Sequence, residues 1–284
     1  FASVYGFSIE ENTSKSIFKN ADLLKNIATE RVISEFLKLI CGQDAVKILD
    51  AYRETIAVII PEITVMFNFN QNNIHHSYDL WRHTLTALGT IEANPILRMT
   101  MLLHDIGKPS VKTTDNSGQS HFQGHQLESK KIADRILHRL RLPSDFINKT
   151  LLLIEYHDVR FNGSKKLMKK VMNVLGTDLT KQLLEVEYAD ISAQSEYQQE
   201  EKLGYLKTAK THLNEIIKDN ECFKLSQLDI NGKDVLNLGV KEGRDVGNIL
   251  DYLLMLVVDA NVPNKKSILI SKAKEYIYGN QINK

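Results

Sequence analysis

The chain has 284 residues, of which 43% are hydrophobic and 25% are charged, and both fractions are ordinary for a globular protein. Lysine and arginine (36) almost balance aspartate and glutamate (35), so no overall basicity points to DNA, and any nucleic-acid surface must be local. No apolar run approaches the roughly 18 residues of a membrane span and no secretory signal stands out, so we expect a cytoplasmic protein. Two cysteines, Cys41 and Cys222, do not suggest a disulfide framework or a thiolate metal site.

Helical periodicity covers nearly every segment that is long enough to judge, and no strand-like alternation is convincing. The sequence therefore predicts an all-α fold. Early in the chain, we expect a helix with its N-cap at Thr29 that continues to Ile40, and a second helix capped by Asp44. Beyond the polar stretch 68–73, six longer helices are predicted at 78–91, 95–106, 126–140, 144–157, 165–175 and 178–194.

The most informative feature is the dipeptide His104-Asp105, which lies in the apolar segment Met-Thr-Met-Leu-Leu-His-Asp-Ile-Gly-Lys-Pro at 99–109. An ionised aspartate in a buried helix costs several kcal/mol unless a partner compensates it. Carboxylate and imidazole together suit a divalent cation that activates water. We therefore expect His104 and Asp105 to be metal ligands.

Two further residues are predicted to join this dipeptide. His83 lies three positions after Leu80 on the inward stripe of its helix, and Asp79 precedes it by one turn as a candidate second-layer partner. Asp190 continues the apolar stripe of its helix, where a carboxylate is uncommon without a partner. Glu185 and Glu187 are expected on solvated faces.

A second metal position is also predicted. His125 begins one helix and His157 ends another, and together with a bridging Asp105 they suit a pair of metals about 3.5–4 Å apart, a common arrangement for phosphate esters. We therefore expect one or two divalent ions. Their identity is left open, because His/carboxylate sites accept Mg, Mn, Ni, Fe, Co or Zn. Four other histidines lack such a context and are expected to be structural: His75, His76, His138 and His212.

Three residues are candidates for contact with substrate. Lys108 follows the His-Asp helix closely enough to face the same cavity, where an ammonium group neutralises phosphate charge. Arg160 lies just beyond His157, and His121 stands one helical turn before His125. Lys108 is also expected, with Asp105, to take part in catalysis.

His83, His104-Asp105 and Asp190, in this order, resemble the HD superfamily of metal-dependent phosphohydrolases. The segments 104–109, 121–125 and 136–142 narrow the resemblance to the HD domain of bacterial CCA-adding tRNA nucleotidyltransferases. Residues 1–7, 20–24 and 28–39 resemble the RNA-binding neck of that family, and 231–234 with 239–247 resemble its C-terminal body. The resemblance implies a helical neck at 1–66, an HD domain at 67–200 and a helical tail at 201–284.

One element of the family pattern is absent. The nucleotidyltransferase head carries an Asp-x-Asp metal pair, and no Asp-x-Asp occurs in this sequence. We therefore expect no CCA addition from this chain alone. Whether a head precedes Phe1 in the native protein is left open, as is the oligomeric state.

The resulting hypothesis is a metal-dependent phosphohydrolase attached to a tRNA-binding body. The resemblance implies phosphomonoester, 2′-nucleotide and 2′,3′-cyclic phosphate substrates, at nucleotides or RNA 3′ ends, with tRNA as the partner and neither DNA nor a membrane. Two alternatives remain open. One is a non-catalytic RNA-binding body with a structural metal site, which the local cluster of lysines at 165, 166, 169 and 170 also motivates. The other is an independent HD hydrolase of free nucleotides.

Overall fold

A computed structural model describes residues 1–75, 78–240 and 243–282, and it confirms the all-α prediction. The α-helices are, in chain order, α1 Ala2–Tyr5, α2 Glu11–Lys19, α3 Thr29–Ile40, α4 Ala45–Ala51, α5 Arg53–Ile59, α6 Leu80–Thr90, α7 Pro95–Leu103, α8 Lys108–Val111, α9 His125–Arg139, α10 Ser144–Tyr156, α11 Lys165–Ser192, α12 Gln199–Lys218, α13 Gly232–Leu236, α14 Arg244–Val258 and α15 Lys266–Ile282. Short 3-10 helices lie at Ala21–Asn26, Pro61–Met66 and Leu225–Gln227. In the described part of the chain, no helix is long and apolar enough to cross a membrane.

A small hairpin departs from the purely helical expectation. Strands β1 (Thr113–Thr114) and β2 (Ser120–His121) pair antiparallel, with Thr113 opposite His121. Their residues are polar, and all but the buried Ser120 are exposed, so no alternating apolar pattern gave a strand signal in the sequence.

The chain divides into two compact units. The first comprises Phe1–Arg160 and Lys181–Leu206, and the second comprises Phe161–Thr180 and Lys207–Lys284. Gly176 interrupts α11 with a φ of 71° and a ψ of 176°, so the segment consists of two helices, as the predicted ranges 165–175 and 178–194 anticipate.

The first unit is organised around α7. Asn94 caps this helix by accepting hydrogen bonds from the N–H groups of Ile96 and Leu97, and Pro95 occupies its first turn. All residues from Leu97 to Leu103 are buried, because α6 and α10 both pack against the helix. The helix ends at Leu103, three residues earlier than predicted, so His104 and Asp105 lie in the turn that leads to α8.

The second unit contains a separate core. Its buried side chains come mainly from α13, α14 and α15, with Cys222 and Ile230 beside them. The cluster of four lysines at 165, 166, 169 and 170 belongs to this unit, and each lysine is paired with an acidic side chain. Lys165 and Lys169 pair with Glu221, and Lys166 and Lys170 pair with Asp259.

Gly107 sets the distance between the His-Asp turn and α9. Its N–H donates to Oγ of Ser129 at 2.9 Å. A Cβ at this position would lie 2.5 Å from the backbone nitrogen of Ser129 and 2.8 Å from the carbonyl oxygen of His125. Since both are backbone atoms, any side chain here would push the turn away from α9.

We predict that Gly107→Ala destabilises the protein by about 1–3 kcal/mol, the usual effect of overpacking. Gly204→Ala, on α12 of the same unit, serves as the control, since no described atom lies within 4 Å of its Cβ position. It should stabilise by about 0.5–1 kcal/mol. Urea unfolding measures both, and equal effects of the two variants would contradict this account of Gly107.

Candidate metal centre

Five helical elements of the first unit bring the predicted ligands together. His83 lies on α6, His104 and Asp105 follow α7, and Asp190 lies near the end of α11. His125 begins α9 and His157 directly follows α10. All four histidines and Asp105 are at most 8% exposed.

The first group consists of His83, His104, Asp105 and Asp190, whose ligand atoms all lie within 4.8 Å of one another. Nε2 of His83 is 2.9 Å from Oδ1 of Asp190 and 3.4 Å from Oδ2 of Asp105. Nε2 of His104 is 3.1 Å from Oδ2 of Asp105 and 3.4 Å from Oδ1 of Asp190. Two imidazoles and two carboxylates therefore converge on one point.

The second group shares Asp105 with the first but uses its other oxygen. Oδ1 of Asp105 is 3.2 Å from Nε2 of His125 and 3.6 Å from Nε2 of His157. The two Nε2 atoms are 3.1 Å apart. Asp105 thus lies between the two groups in the bridging position that the sequence predicts.

Backbone carbonyls fix the orientation of every imidazole. The Nδ1 atoms of His83, His104, His125 and His157 lie 2.6–3.2 Å from the carbonyl oxygens of Ala193, Met101, Phe122 and Ile154, respectively. A carbonyl only accepts hydrogen bonds, so each Nδ1 carries a proton and each Nε2 is directed inward, where it offers a lone pair whenever the ring is neutral. Two such lone pairs 3.1 Å apart, on His125 and His157, repel unless a cation or a proton lies between them.

The buried polar atoms of the first group fit a metal ion. Nε2 of His104 and both carboxylate oxygens of Asp105 are fully buried, and within the described residues they are compensated by close charged and imidazole groups rather than by assigned hydrogen bonds. Such atoms are costly in a protein interior. Nitrogen and carboxylate oxygen donors at this spacing suit a divalent transition metal or Mg²⁺.

Electrostatic coupling in the cluster is strong. Burial acts to lower the pKa of His104, but the adjacent charges of Asp105 and Asp190 outweigh it and raise the pKa to about 10. Contacts with the same two carboxylates raise the pKa of His83 against the effect of burial. Burial acts to raise the pKa values of Asp105 and Asp190, but the neighbouring positive charges outweigh it and hold both pKa values well below the usual range. The carboxylates thus attract positive charge to this point.

Lys108 lies inside the centre rather than at its edge. Its side chain is 6% exposed, and its Nζ is 2.7 Å from Oδ2 of Asp105 and donates to Oε1 of Gln71 at 3.1 Å. The ring of Phe122 lies 5.5 Å from the same ammonium group. The expectation that Lys108 faces the same cavity as Asp105 agrees with this position.

Other predicted residues lie elsewhere. His121 is on the exposed hairpin, where Nε2 is 2.8 Å from Oδ2 of Asp115, and it belongs to neither ligand group. Arg160 is exposed and also outside both groups. Asp79 does not orient His83, because its carboxylate accepts from the N–H of Arg82 and caps α6. A carboxylate at the N-cap position of a helix accepts hydrogen bonds from the free N–H groups of the first turn, which leaves it directed away from His83.

The prediction that Glu187 is solvated is wrong. It is 5% exposed, and Oε1 has no hydrogen-bond partner within the described residues. Burial raises its pKa well above the usual range, and the charges of Asp190 and Asp158 act in the same direction. Glu185, by contrast, is exposed as expected.

Sequence reasoning missed the polar residues around the ligands. Gln71, Gln194 and Lys202 gave no periodic or motif signal, although their side chains reach the centre or its neighbours. Nδ1 of His75, a residue that was expected to be structural, lies 3.4 Å from Nζ of Lys202. His76 is outside the described residues.

The helical fold carries a buried cluster of four histidines and two aspartates that could hold a metal ion. Comparison with known proteins supplies the family. Residues 125–273 match the family described as "tRNA nucleotidyltransferase domain 2 putative", and residues 6–67 match "Probable RNA and SrmB- binding site of polymerase A". Since the first match covers just over half of the sequence, the chain belongs to the tRNA nucleotidyltransferase family.

Individual relatives agree with this assignment. The chain is 27% identical to the CC-adding tRNA nucleotidyltransferase of Thermus thermophilus over 93% of its own length and 62% of the relative's. It is 29% identical to the A-adding tRNA nucleotidyltransferase of Deinococcus radiodurans over 56% and 40% of the two lengths. The crystal structure of the Bacillus stearothermophilus CCA-adding enzyme in complex with CTP shares the fold, with a TM-score of 0.66 at 18% identity, over the whole of this chain and 61% of that one. The chain thus spans about three fifths, or less, of the length of these relatives.

The pKa shifts predict how the stability of the metal-free protein depends on pH. The pKa of His104 rises from 6.5 to about 10 on folding, so its stabilising contribution is complete below pH 6.5 and is lost as the pH rises through 10. Asp105 and Asp190 contribute above about pH 4 and lose this contribution in acid. The free energy of unfolding in EDTA should therefore fall between pH 7 and 10.

Urea unfolding across this range measures the slope. The variant His104→Asn should flatten it, whereas His138→Asn, which changes an exposed histidine beside Asp134, should keep it. Added Mn²⁺ should stabilise most at high pH, because a metal competes with protons for the same nitrogen atoms. A wild-type protein in EDTA that is equally stable at pH 7 and 10 would contradict the coupling.

Proposed function

We propose that this chain contains a metal-dependent phosphohydrolase centre of the HD type. The observation that carries the proposal is the bridging position of Asp105, whose two oxygens face two separate groups of histidines. Paired ligand groups around one carboxylate are a common basis for the cleavage of phosphate esters. His83, His104, Asp105 and Asp190 would hold one metal ion, and His125 and His157 with Asp105 would hold a second one.

The chain's own residues prepare such a site in two ways. Carbonyl acceptors hold all four imidazoles with Nε2 directed inward, so little rearrangement is needed to bind a cation. Lys108 adds a fixed positive charge beside Asp105, where it can neutralise a phosphate oxygen. When bound, a divalent metal ion would supply Lewis acidity toward phosphate and would lower the pKa of a coordinated water.

The proposed substrate class rests on the HD resemblance of the site and on the tRNA-related family. Relatives are named for adding nucleotides to tRNA, and residues 6–67 match an RNA-binding model. We therefore propose phosphomonoesters and 2′,3′-cyclic phosphates of nucleotides, or the same groups at a tRNA 3′ end, as substrates. Arg160 and His121 lie outside the ligand groups, and a role for them would be confined to the outer part of a long substrate.

Hydrolysis of 2′,3′-cyclic AMP and para-nitrophenyl phosphate, with Mn²⁺, Ni²⁺ or Mg²⁺ and with EDTA, tests the proposal. Asp105→Asn keeps the size of the side chain but removes the charge that both groups share. It should lower the metal-dependent kcat/KM by more than the roughly 10–100-fold loss that follows mutation of a residue that only orients a metal ligand. Asp145→Asn, at an exposed position paired with Lys149, should leave the rate unchanged.

Equal rates for the wild type and Asp105→Asn would reject a catalytic role for this centre. Cleavage of free nucleoside triphosphates in preference to both test substrates would favour the alternative of an independent nucleotide hydrolase.

A second candidate function is RNA binding without catalysis. The match of residues 6–67 to an RNA-binding model favours it, whereas the lysine cluster at 165–170 favours it less, since each of its lysines is paired with Glu221 or Asp259. Binding of a tRNA that lacks its 3′ end, measured across a salt series, tests this function. Binding that survives EDTA would support it, and the absence of binding at every ionic strength would reject it.

A further inference from the structure

Asp190 uses its two carboxylate oxygens differently. Oδ1 faces the cluster, at 2.9 Å from Nε2 of His83. Oδ2 accepts a hydrogen bond of 2.8 Å from Nε2 of Gln194, which lies one turn further along, just beyond the end of α11. One oxygen is therefore directed at the candidate metal position while the other is held by an amide.

Gln194 is itself fixed by a third residue. Its Oε1 accepts a hydrogen bond of 2.6 Å from Nζ of Lys202 on α12. A lysine ammonium only donates and a carboxylate only accepts, so the two partners admit a single orientation of the amide, with nitrogen toward Asp190 and oxygen toward Lys202. Lys202 thus prevents the amide from turning its oxygen toward the carboxylate.

Lys202 is held in place by its surroundings. Its Nζ lies 3.4 Å from Nδ1 of His75, whose ring centre is 5.0 Å from that of Tyr197. Ser195 fixes the backbone at residues 74–75. Its N–H donates to the carbonyl of His75 at 2.9 Å, and its Oγ donates to the carbonyl of Ile74 at 2.6 Å. The lysine therefore has a fixed position from which to orient the glutamine.

We infer that Gln194 and Lys202 are positioning residues that hold Asp190 so that Oδ1 alone is presented to a cation between His83 and His104. A carboxylate free to rotate would exchange its two oxygens and bind with variable geometry. Outer partners that orient a ligand of this kind raise metal affinity. The inference rests on the metal site of the proposed function, although it does not require the hydrolytic reaction.

The hydrogen-bonded series Lys202, Gln194 and Asp190 is called the relay below. Titration calorimetry of the full chain with Mn²⁺ tests it. Gln194→Met has a similar size but neither hydrogen bond, and it should weaken Mn²⁺ binding by about 10–100-fold. Lys202→Met leaves the amide free to turn and should weaken binding by a smaller factor. Lys202→Arg keeps a donor for Oε1 and should restore most of the affinity, an effect that loss of packing alone would not show.

Two matched controls carry the same changes away from the relay. Gln182→Met lies earlier on α11 and Lys207→Met is at an exposed position on α12, and both should bind Mn²⁺ with wild-type affinity. Thermal unfolding in EDTA accompanies each variant, so that a general loss of stability is separated from a loss of metal affinity.

The outcomes distinguish this inference from the proposed function. Wild-type affinity in Gln194→Met and Lys202→Met, or failure of Lys202→Arg to restore binding, would overturn the relay while leaving the metal site intact. A wild-type chain that binds no Mn²⁺ would overturn both the metal site and the relay. A relay effect on Mn²⁺ binding in a chain that hydrolyses no phosphate ester would support the relay and reject the hydrolysis.

Discussion

The carboxylate of Asp105 is the group on which the arrangement of the first unit depends. It is 1% exposed, and its two oxygens contact four imidazole groups and one ammonium group. A buried negative charge is tolerated only where the surrounding groups compensate it, and α6, α8, α9 and α10 each deliver an imidazole or ammonium group to the turn after α7. The helix packing and the candidate metal centre are therefore aspects of the same constraint.

The backbone supports this constraint at two places. Gly107 lets the His-Asp turn approach the backbone of α9, which brings Asp105 within 3.2 Å of His125. The backbone carbonyl groups of Ala193, Met101, Phe122 and Ile154 then hold the imidazoles with Nε2 inward. A site built in this way is preorganised for a cation, because its ligands are oriented by elements that fold for other reasons.

Sequence periodicity located the residues of the candidate metal centre, but it did not locate the residues that contact them. His83 and Asp190 continue apolar stripes, so a helical pattern identifies them, and the ionisable pair His104-Asp105 stands out within an apolar segment. The turn that holds this pair was not predicted, since the helix was expected to continue to residue 106. Glu187 lies three residues before Asp190, and only the full packing around α11 reveals that it is buried. Gln71, Gln194 and Lys202 act through single long side chains from distant segments, which leaves no pattern in the sequence. Asp79 was misread because capping of α6 competes with contact to His83.

The most direct test is a crystal structure of the full chain grown with Mn²⁺, with diffraction data collected at the manganese absorption edge. The account predicts an anomalous peak between Nε2 of His83, Nε2 of His104 and the carboxylates of Asp105 and Asp190, with the second oxygen of Asp190 still bound to Gln194. A peak absent from this position at saturating Mn²⁺, with the histidines and carboxylates in direct contact, would contradict it.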